Sequence, residues 1–163
     1  MDVAGRAGPR CAHRREHHRY LNEELPVVDA LAAKVLSIHG DRQPELAEVR
    51  RLVAAIRADL EPHLLKEERV LFPAIAALAD GKRELGFGSV VNPIRMMGIE
   101  HDRAGELLVN LRAATGGYVV PDDACASYRS EYERLEALEL DTHLHIHKEN
   151  HVLFPAALRL AER

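Results

Sequence analysis

Apolar side chains recur at intervals of three or four residues along four stretches of the chain, and this spacing is typical of one buried helix face. The first predicted helix runs from about Ala12 to His39, and its stripe consists of His18, Leu21, Leu25, Val28, Ala32, Val35 and His39. The second ends near Asp80, and its stripe consists of Leu46, Val49, Val53, Ile56, Leu60, His63, Glu67 and either Val70 or Leu71. Both stripes are long enough for helices that span a small domain.

Two further stripes complete the pattern. The third consists of Ile94, Met97, His101, Ala104, Leu108 and Leu111. The fourth consists of Tyr128, Leu135, Leu138, Thr142, His145, Glu149, Val152, Ala156 and Leu160. The dipeptides Asn92-Pro93 and Pro121-Asp122 are typical of helix starts, and Gly116-Gly117 is typical of a helix end. Four long helices with short connections predict an all-α, up-down-up-down four-helix bundle.

The chain has the size and charge of one ordinary globular domain. Its 163 residues are enough for a substantial core, and we expect residues 1–11 to be a flexible N-terminal lead-in and residues 12–163 to form the bundle. The net charge of -4 gives no reason to expect a nucleic acid partner. No apolar run approaches the ~20 residues of a membrane span, so we expect no membrane partner. The two cysteines, Cys11 and Cys125, form neither a disulfide framework nor a CxxC metal site, so we expect the reducing cytoplasm as the location.

One segment occurs twice: residues 63–74 and residues 145–156 both fit H-x-x-K-E-x-x-V-L-F-P-A. A histidine four residues before a glutamate places an imidazole and a carboxylate on one helical face, one turn apart. A single buried pair of this kind is commonly a structural hydrogen bond. Here each pair is also preceded, at nearly the same distance, by a histidine on a buried stripe, His18 in the first half and His101 in the second. This internal symmetry favours a metal site.

Six polar side chains therefore lie on the predicted buried stripes: His18, His63, Glu67, His101, His145 and Glu149. Buried carboxylates need compensation for the loss of water, and coordinated cations are the simplest source. Four imidazoles and two carboxylates suit two metal ions, with two imidazoles on each ion and both glutamates bridging. Histidine and carboxylate ligands suit iron, manganese or zinc, and the lack of cysteine in the set argues against a structural zinc site.

His39 shares the first stripe with His18 but lies about 31 Å farther along a continuous helix. One metal centre cannot hold both residues at that separation. His39 also has no counterpart in the second half of the chain. We therefore interpret it as a helix-end histidine, with metal ligation through a broken first helix as the alternative. His17 points about 100° away from the stripe, so His18 is the preferred ligand of the two.

Three motifs carry a resemblance to a known family: HLLKEERVLFPAI from residue 63, IEHDRAGELL from residue 99 and HIHKENHVLFPAAL from residue 145. Over about residues 15–160 the chain resembles the hemerythrin-like (HHE cation-binding) family, and more closely the di-iron domain of bacterial iron-sulfur cluster repair proteins of the YtfE/RIC/ScdA type. The resemblance implies a hemerythrin-like fold and a non-haem centre of two iron ions with oxo and carboxylate bridges, for which zinc or manganese are substitutes. It implies that the terminal ligands and the two bridges are His18, His63, His101, His145, Glu67 and Glu149. His39 also aligns with a histidine in these proteins.

The resemblance further implies a role in the repair or protection of iron-sulfur clusters under nitrosative or oxidative stress. Nitric oxide, dioxygen species and damaged iron-sulfur proteins are the partners that this role implies, through diatomic chemistry or iron donation. Acidic residues near the centre are associated with a polar channel in such proteins, and Asp59 and Glu100 are the matching residues here. The alternative for both is an ordinary solvated helix residue.

Two departures from the repair proteins bear on function. Those proteins usually carry a further N-terminal domain with a cysteine motif, whereas Cys11 is the one cysteine ahead of the predicted bundle here. Pro62 stands directly before His63, and we expect it to open the helix locally. Whether the protein is an enzyme stays open. One alternative is a non-catalytic sensor or carrier of dioxygen, nitric oxide or iron. Another is a structural or regulatory bundle in which a metal ion only stabilises the core.

Overall fold

The protein is described here from a computed structural model that covers residues 9–162, with side chains from residue 15 onward. Residues 1–8 of the expected lead-in and the side chain of Cys11 lie outside the described part. The first helix begins at Pro9, three residues before the predicted start at Ala12.

The described chain consists of six helices and two π-helical turns, and it contains no strand. The helices are α1 (Pro9–His39), α2 (Leu46–Lys66), α3 (Phe72–Ala79), α4 (Val91–Ala114), α5 (Ala126–Lys148) and α6 (Phe154–Ala161). The π-helical turns Glu67–Leu71 and Glu149–Leu153 join α2 to α3 and α5 to α6, so the chain forms four long rods. The rod α1 packs against α2 and α5, and α2 packs against α4. The predicted all-α four-helix bundle is confirmed.

The predicted stripes form the core. Every predicted stripe residue of α1 and of α4 is buried. The buried apolar residues fall into two clusters, a larger one in the body of the bundle and a smaller one that α3, α6 and the start of α4 build. Along α4, Met97 belongs to the smaller cluster and Ala104 to the larger one, with His101 between them. The polar stripe residues thus lie between two apolar layers.

The predicted start of the last long helix was wrong. Helix α5 begins at Ala126, not at Pro121, because Cys125 is extended (φ -73°, ψ 170°) and the Ala124 N–H donates to the Pro121 carbonyl at 3.0 Å in a turn. Ahead of this turn, Gly116, Gly117 and Tyr118 all have positive φ, so α4 ends in a left-handed bend.

The π-helical turns are the main departure from the sequence-based picture. Helix α2 continues as α-helix through Pro62, where the only opening is the hydrogen bond that proline cannot donate. The widening occurs instead at Glu67, where the Phe72 N–H donates to the Glu67 carbonyl five residues earlier. Pro73 follows at once, and a proline ring would clash with the carbonyl four residues before it in an ordinary α-helix. A wider turn relieves that clash, and Pro155 stands at the matching place in the second half.

The widened turn also changes which residues are buried after it. A π-helical turn takes up about one residue more than an α-helical turn, so the stripe shifts by one position. Val152 was predicted to be buried and is 49% exposed, whereas Phe154 is 5% exposed and Ala157 is fully buried. In the first half the same shift buries Leu71 and exposes Val70. Within the described residues, no helix is both long and apolar enough to cross a membrane.

Candidate metal centre

The six polar side chains that the stripes predicted converge in the middle of the bundle. Helices α1, α2, α4 and α5 each contribute one histidine, and each π-helical turn begins with one of the two glutamates. All six side chains lie in residues that are at most 4% exposed, namely His18, His63, Glu67, His101, His145 and Glu149. The structure therefore brings together, in one place, residues that are far apart in the sequence.

Glu67 faces imidazoles on two sides. Its Oε2 lies 3.1 Å from His18 Nε2 and 3.6 Å from His145 Nε2. Its Oε1 lies 3.3 Å from His63 Nε2. One carboxylate oxygen thus lies beside His18 and His145, and the other lies beside His63. A carboxylate that bridges two metal ions requires this arrangement.

Glu149 faces the same two pairs from the other half of the chain. Its Oε2 lies 3.2 Å from His101 Nε2 and 3.3 Å from His145 Nε2. The Nε2 atoms of His63 and His101 are 3.2 Å apart, so these two rings form the second imidazole pair. Each glutamate therefore touches imidazoles of both pairs.

The positions of the donor atoms suit shared metal ions better than hydrogen bonds among the side chains themselves. Both oxygens of Glu67, both oxygens of Glu149 and the Nε2 atoms of His18 and His145 are buried without a hydrogen bond of acceptable geometry, despite their short separations. Two atoms that bind one ion at about 2.1 Å and at right angles are about 3 Å apart. Five of the residues supply donor atoms that all lie within 4.8 Å of one another, and His18 joins them through Glu67.

Three histidines of the cluster have an outer nitrogen, Nδ1, that bonds a hydrogen-bond acceptor. His63 Nδ1 lies 2.7 Å from Glu100 Oε2, and His18 Nδ1 lies 2.9 Å from Glu68 Oε1. A carboxylate can only accept, so Nδ1–H donates and the Nε2 lone pair of a neutral ring points into the centre. His101 Nδ1 donates in the same way to Asn150 Oδ1 at 2.8 Å. Outer partners of this kind orient metal-binding imidazoles.

The two glutamates differ in their electrostatic surroundings. For Glu67, burial favours the neutral acid, but contacts with His145, His18 and His63 outweigh it and hold its pKa below the usual value. For Glu149, burial dominates and raises the pKa. Burial alone would lower the pKa of His63, yet contacts with Glu67 and Glu100 raise it overall. The anionic charge in the centre therefore calls for positive charge beside it, from cations or from protonated imidazoles.

The phenylalanine of each repeated segment packs on a histidine of the cluster from its own half of the chain. The Phe72 ring lies 5.3 Å from the His18 ring, and the Phe154 ring stacks on His101 at 5.6 Å with an interplanar angle of 8°. These rings help to fix the imidazole planes and keep water from one side of the centre.

The remaining predicted residues lie apart from the donor cluster. His39 Nε2 is 3.1 Å from Cys125 Sγ, and its ring packs edge-on against Tyr128. Asp59 Oδ2 is 2.6 Å from Arg103 Nε, at an angle outside that of a hydrogen bond, so the two groups form a simple ion pair. Glu100 bonds Lys66 as well as His63.

Two grooves lead from the surface to histidines of the cluster. A groove of about 730 Å³ reaches His18, and its lining includes Glu68, Phe72 and Ile75. A second groove of about 560 Å³ reaches His101 between α4 and α5. Asp59 and Glu100 line neither of these two grooves, so the polar channel stays a prediction.

Comparison with known proteins agrees with this geometry. A family model described as the hemerythrin HHE cation binding domain matches residues 13–157, a range that contains all six residues of the cluster. The chain belongs to the hemerythrin HHE cation-binding domain family. The resemblance that the three motifs carry is confirmed.

Relatives of this HHE domain include named repair proteins. A probable iron-sulfur cluster repair protein of Haemophilus influenzae is 38% identical over 145 residues, which is 88% of this chain and 61% of that protein. The iron-sulfur cluster repair protein YtfE of Escherichia coli O1:K1 is 35% identical over 145 residues, which is 88% of this chain and 62% of that protein. The HHE chain thus spans about three fifths of the length of these curated relatives.

Sequence reasoning missed the acceptors Glu68 and Asn150. Each directly follows one of the two glutamates of the cluster, and each bonds the lone histidine of its own half of the chain. The signal was present in the repeat, because both copies of the segment place a hydrogen-bond acceptor at this position of the HHE domain.

Proposed function

We propose that this chain binds two iron ions through the four histidines and two glutamates, and that it supports the repair or protection of iron-sulfur clusters under nitrosative or oxidative stress. The observation that carries the proposal is the position of Glu67 and Glu149, each of which faces imidazoles of both pairs. The names of the relatives, both of them iron-sulfur cluster repair proteins, support the biological role. Damaged iron-sulfur proteins are the proposed partners, and the cytoplasm, which keeps thiols reduced, is the proposed compartment.

Iron bound at this site would supply electron exchange with nitric oxide or dioxygen species, or would itself be the cargo given to a damaged cluster. The residues of the chain do the rest. Glu67 and Glu149 set the separation of the two imidazole pairs, while Glu68, Glu100 and Asn150 hold the ligand rings in the orientation that presents Nε2. Two carboxylates bring less negative charge than a carboxylate-rich di-iron site, which favours reversible change between ferrous and ferric states.

The groove beside His18 suits a small, weakly polar ligand. Phe72, Ile75 and Ala76 give it an apolar wall, and Arg15 and Glu68 stand among its polar residues. A diatomic molecule fits easily in about 730 Å³. The mixed lining supports chemistry in which ligands and protons both reach the centre, in addition to simple binding.

The experiment that tests the proposal is metal analysis of the purified protein, followed by anaerobic titration with nitric oxide and then with dioxygen under absorption spectroscopy. We expect two irons per chain, an oxo-bridge absorption band in the oxidised protein, and spectral change with nitric oxide. Far less than two irons per chain, with no such band after reconstitution, would exclude the di-iron function. Zinc that cannot be replaced by iron would favour a structural metal.

A non-catalytic carrier or sensor is the second candidate function. The packing of Phe72 against His18 and the stacking of Phe154 on His101 favour it, since apolar surface beside the centre excludes water there and stabilises a bound neutral diatomic against further reaction. Reversible binding of dioxygen or nitric oxide with no consumption over repeated cycles would indicate this function. Consumption of the ligand with an added electron donor, or recovery of activity in a damaged iron-sulfur protein, would indicate chemistry or repair.

A further inference from the structure

Three histidines outside the buried centre follow one another at four-residue intervals, His143, His147 and His151, and all three are exposed. The ring centroids of His147 and His151 are 4.6 Å apart, with an angle of 45° between the ring planes. Over residues 15–162, neither of these two rings has a side-chain hydrogen bond in the structure. Two histidines one helical turn apart on one face are a common way for a helix to hold a metal ion.

Two carboxylates stand on the opposite wall. Asp102 and Glu106, which are exposed and one turn apart on α4, line the same groove of about 560 Å³ as the three histidines. We call these five residues and the space between them the histidine groove. Imidazole and carboxylate groups together suit divalent iron, zinc or manganese, and the carboxylates also attract any cation electrostatically.

The floor of the histidine groove reaches the buried centre. His101 and Asn150 both line it, and they bond each other through Nδ1 and Oδ1 at 2.8 Å. The other nitrogen of His101 lies 3.2 Å from Glu149. A cation in the groove would therefore lie on the outer side of the His101 ring, whose inner nitrogen contacts Glu149 of the buried centre.

We propose that the histidine groove is a docking site for a divalent transition-metal cation that is passing to or from the buried centre. The proposal rests on the proposed function, because it gives the exchangeable iron of that function a path. The exposed side chains are free to turn about their χ angles, so they can close around a hydrated ion and release it again. Neither the six buried ligands nor their outer partners need to move for the ion to dock.

The first test measures docking directly. Protein whose buried centre has been filled with zinc, and which has been freed of excess metal, is titrated with further zinc by calorimetry. Wild type is expected to take up a further zinc ion, and the double variant His147→Gln, His151→Gln is expected to lose that event. The double variant Asp122→Asn, Asp123→Asn is the matched control, since it removes two exposed potential ligands from the turn before α5, and α5 places His147 about 30 Å from its own start. We expect the control to bind as wild type does.

The second test measures passage. Uptake of Fe2+ by the metal-free protein is followed without oxygen, using a chromogenic chelator for the free ion. We expect uptake by the double histidine variant to be about tenfold slower, the lower end of the gain that a focusing surface site gives, with the same final iron content. Zinc binding that survives the histidine substitutions, or uptake at the wild-type rate, overturns the proposal. Failure of the buried centre to hold iron at all would instead refute the proposed function. The zinc titration still shows, independently of that result, whether the histidine groove binds a cation.

Discussion

Glu100 holds His63 in place from outside the buried cluster. Glu100 Oε2 accepts a hydrogen bond from His63 Nδ1 at 2.7 Å, and the same carboxylate is bonded by Lys66. Burial tends to raise the pKa of Glu100, but Lys66 and His63 hold it below the usual value, so the group stays anionic. An anion at Nδ1 makes Nε2 a better metal ligand.

Replacing Glu100 should therefore weaken metal binding without removing a ligand. We expect Glu100→Ala to lower metal affinity by about 10- to 100-fold, the usual effect of removing the outer partner of a ligand histidine. Glu100→Gln keeps an acceptor and should lose less. Competition with a chelator measures the affinity.

Asp59→Asn is the control for this series. Its carboxylate pairs with Arg103 and lies outside the donor cluster, so its loss should leave metal affinity near the wild-type value. An Asp59→Asn affinity as low as that of Glu100→Ala would instead show that both carboxylates act on the centre through the predicted polar channel.

The ligand assignment can be tested against His39. His101→Ala and Glu149→Ala each remove a donor from the buried cluster, and we expect both to lose most of the bound metal. His39→Ala should keep its metal, because this histidine is engaged with Cys125 and Tyr128. The substitution should instead lower the free energy of unfolding, by about 1–3 kcal/mol for the loss of a buried polar contact. Metal content and urea unfolding give the two values, and loss of metal in His39→Ala equal to that in His101→Ala would refute the assignment.

Glu131 should make the bundle less stable as the pH rises. Its side chain is fully buried, neither oxygen has a hydrogen-bond partner, and burial raises its pKa from 4.5 to about 7. Below the unfolded value the group is protonated in both states and contributes no pH-dependent change in stability. Between about 4.5 and about 7 the unfolded chain loses its proton first, so stability falls until the folded group also ionises.

The size of this effect follows from the shift, which corresponds to about 3 kcal/mol. Glu131→Gln cannot ionise and should lack this loss. We expect the variant and the wild type to have similar free energies of unfolding near pH 4.5 and the variant to be more stable at pH 8. Urea unfolding at several pH values gives the difference in free energy of unfolding between the two proteins. Other titrating groups are the same in both, so their contributions cancel in this difference. A difference independent of pH would contradict the prediction.

Phe154 should protect the centre as well as the fold. It is 5% exposed and stacks on His101, so Phe154→Ala should leave a cavity and cost about 3–5 kcal/mol. Water would then reach His101, and release of metal to a chelator should become faster. Phe154→Leu keeps most of the volume and should cost less than about 1.5 kcal/mol. Thermal unfolding and the release rate check the pair, and equal release rates in all three proteins would show that the ring has no protective role.

The sequence alone was sufficient to predict the four helical rods and the side chains that face inward with donor atoms. A buried stripe and a histidine four residues before a glutamate are features of one helix, and helix geometry translates them directly into a face. The repeat then related the two halves of the chain, which is why His18 and His101 could be matched to the two His-Glu pairs. Neither inference required knowledge of how the helices pack.

Assuming a uniform helical period caused the error in the last helix. Val152 was placed inside and Phe154 was not, because the π-helical turn that begins at Glu149 adds a residue to the period. The prolines that follow the two π-helical turns were visible, but Pro26 and Pro62 occur in helices that continue as α-helix. Sequence position alone did not distinguish a proline inside a continuous α-helix from a proline that follows a π-helical turn.

The sequence by itself determined four amphipathic helices and the set of six inward-facing donors, since both depend on contacts within a few residues. Only the tertiary structure decided which acceptors bond the outer nitrogens of His18, His63 and His101. It also decided that His39 lies on Cys125. These contacts join different helices, and they depend on how far each helix is rotated and shifted against its neighbour. That rotation results from the packing of the whole core, so no short stretch of sequence contains it.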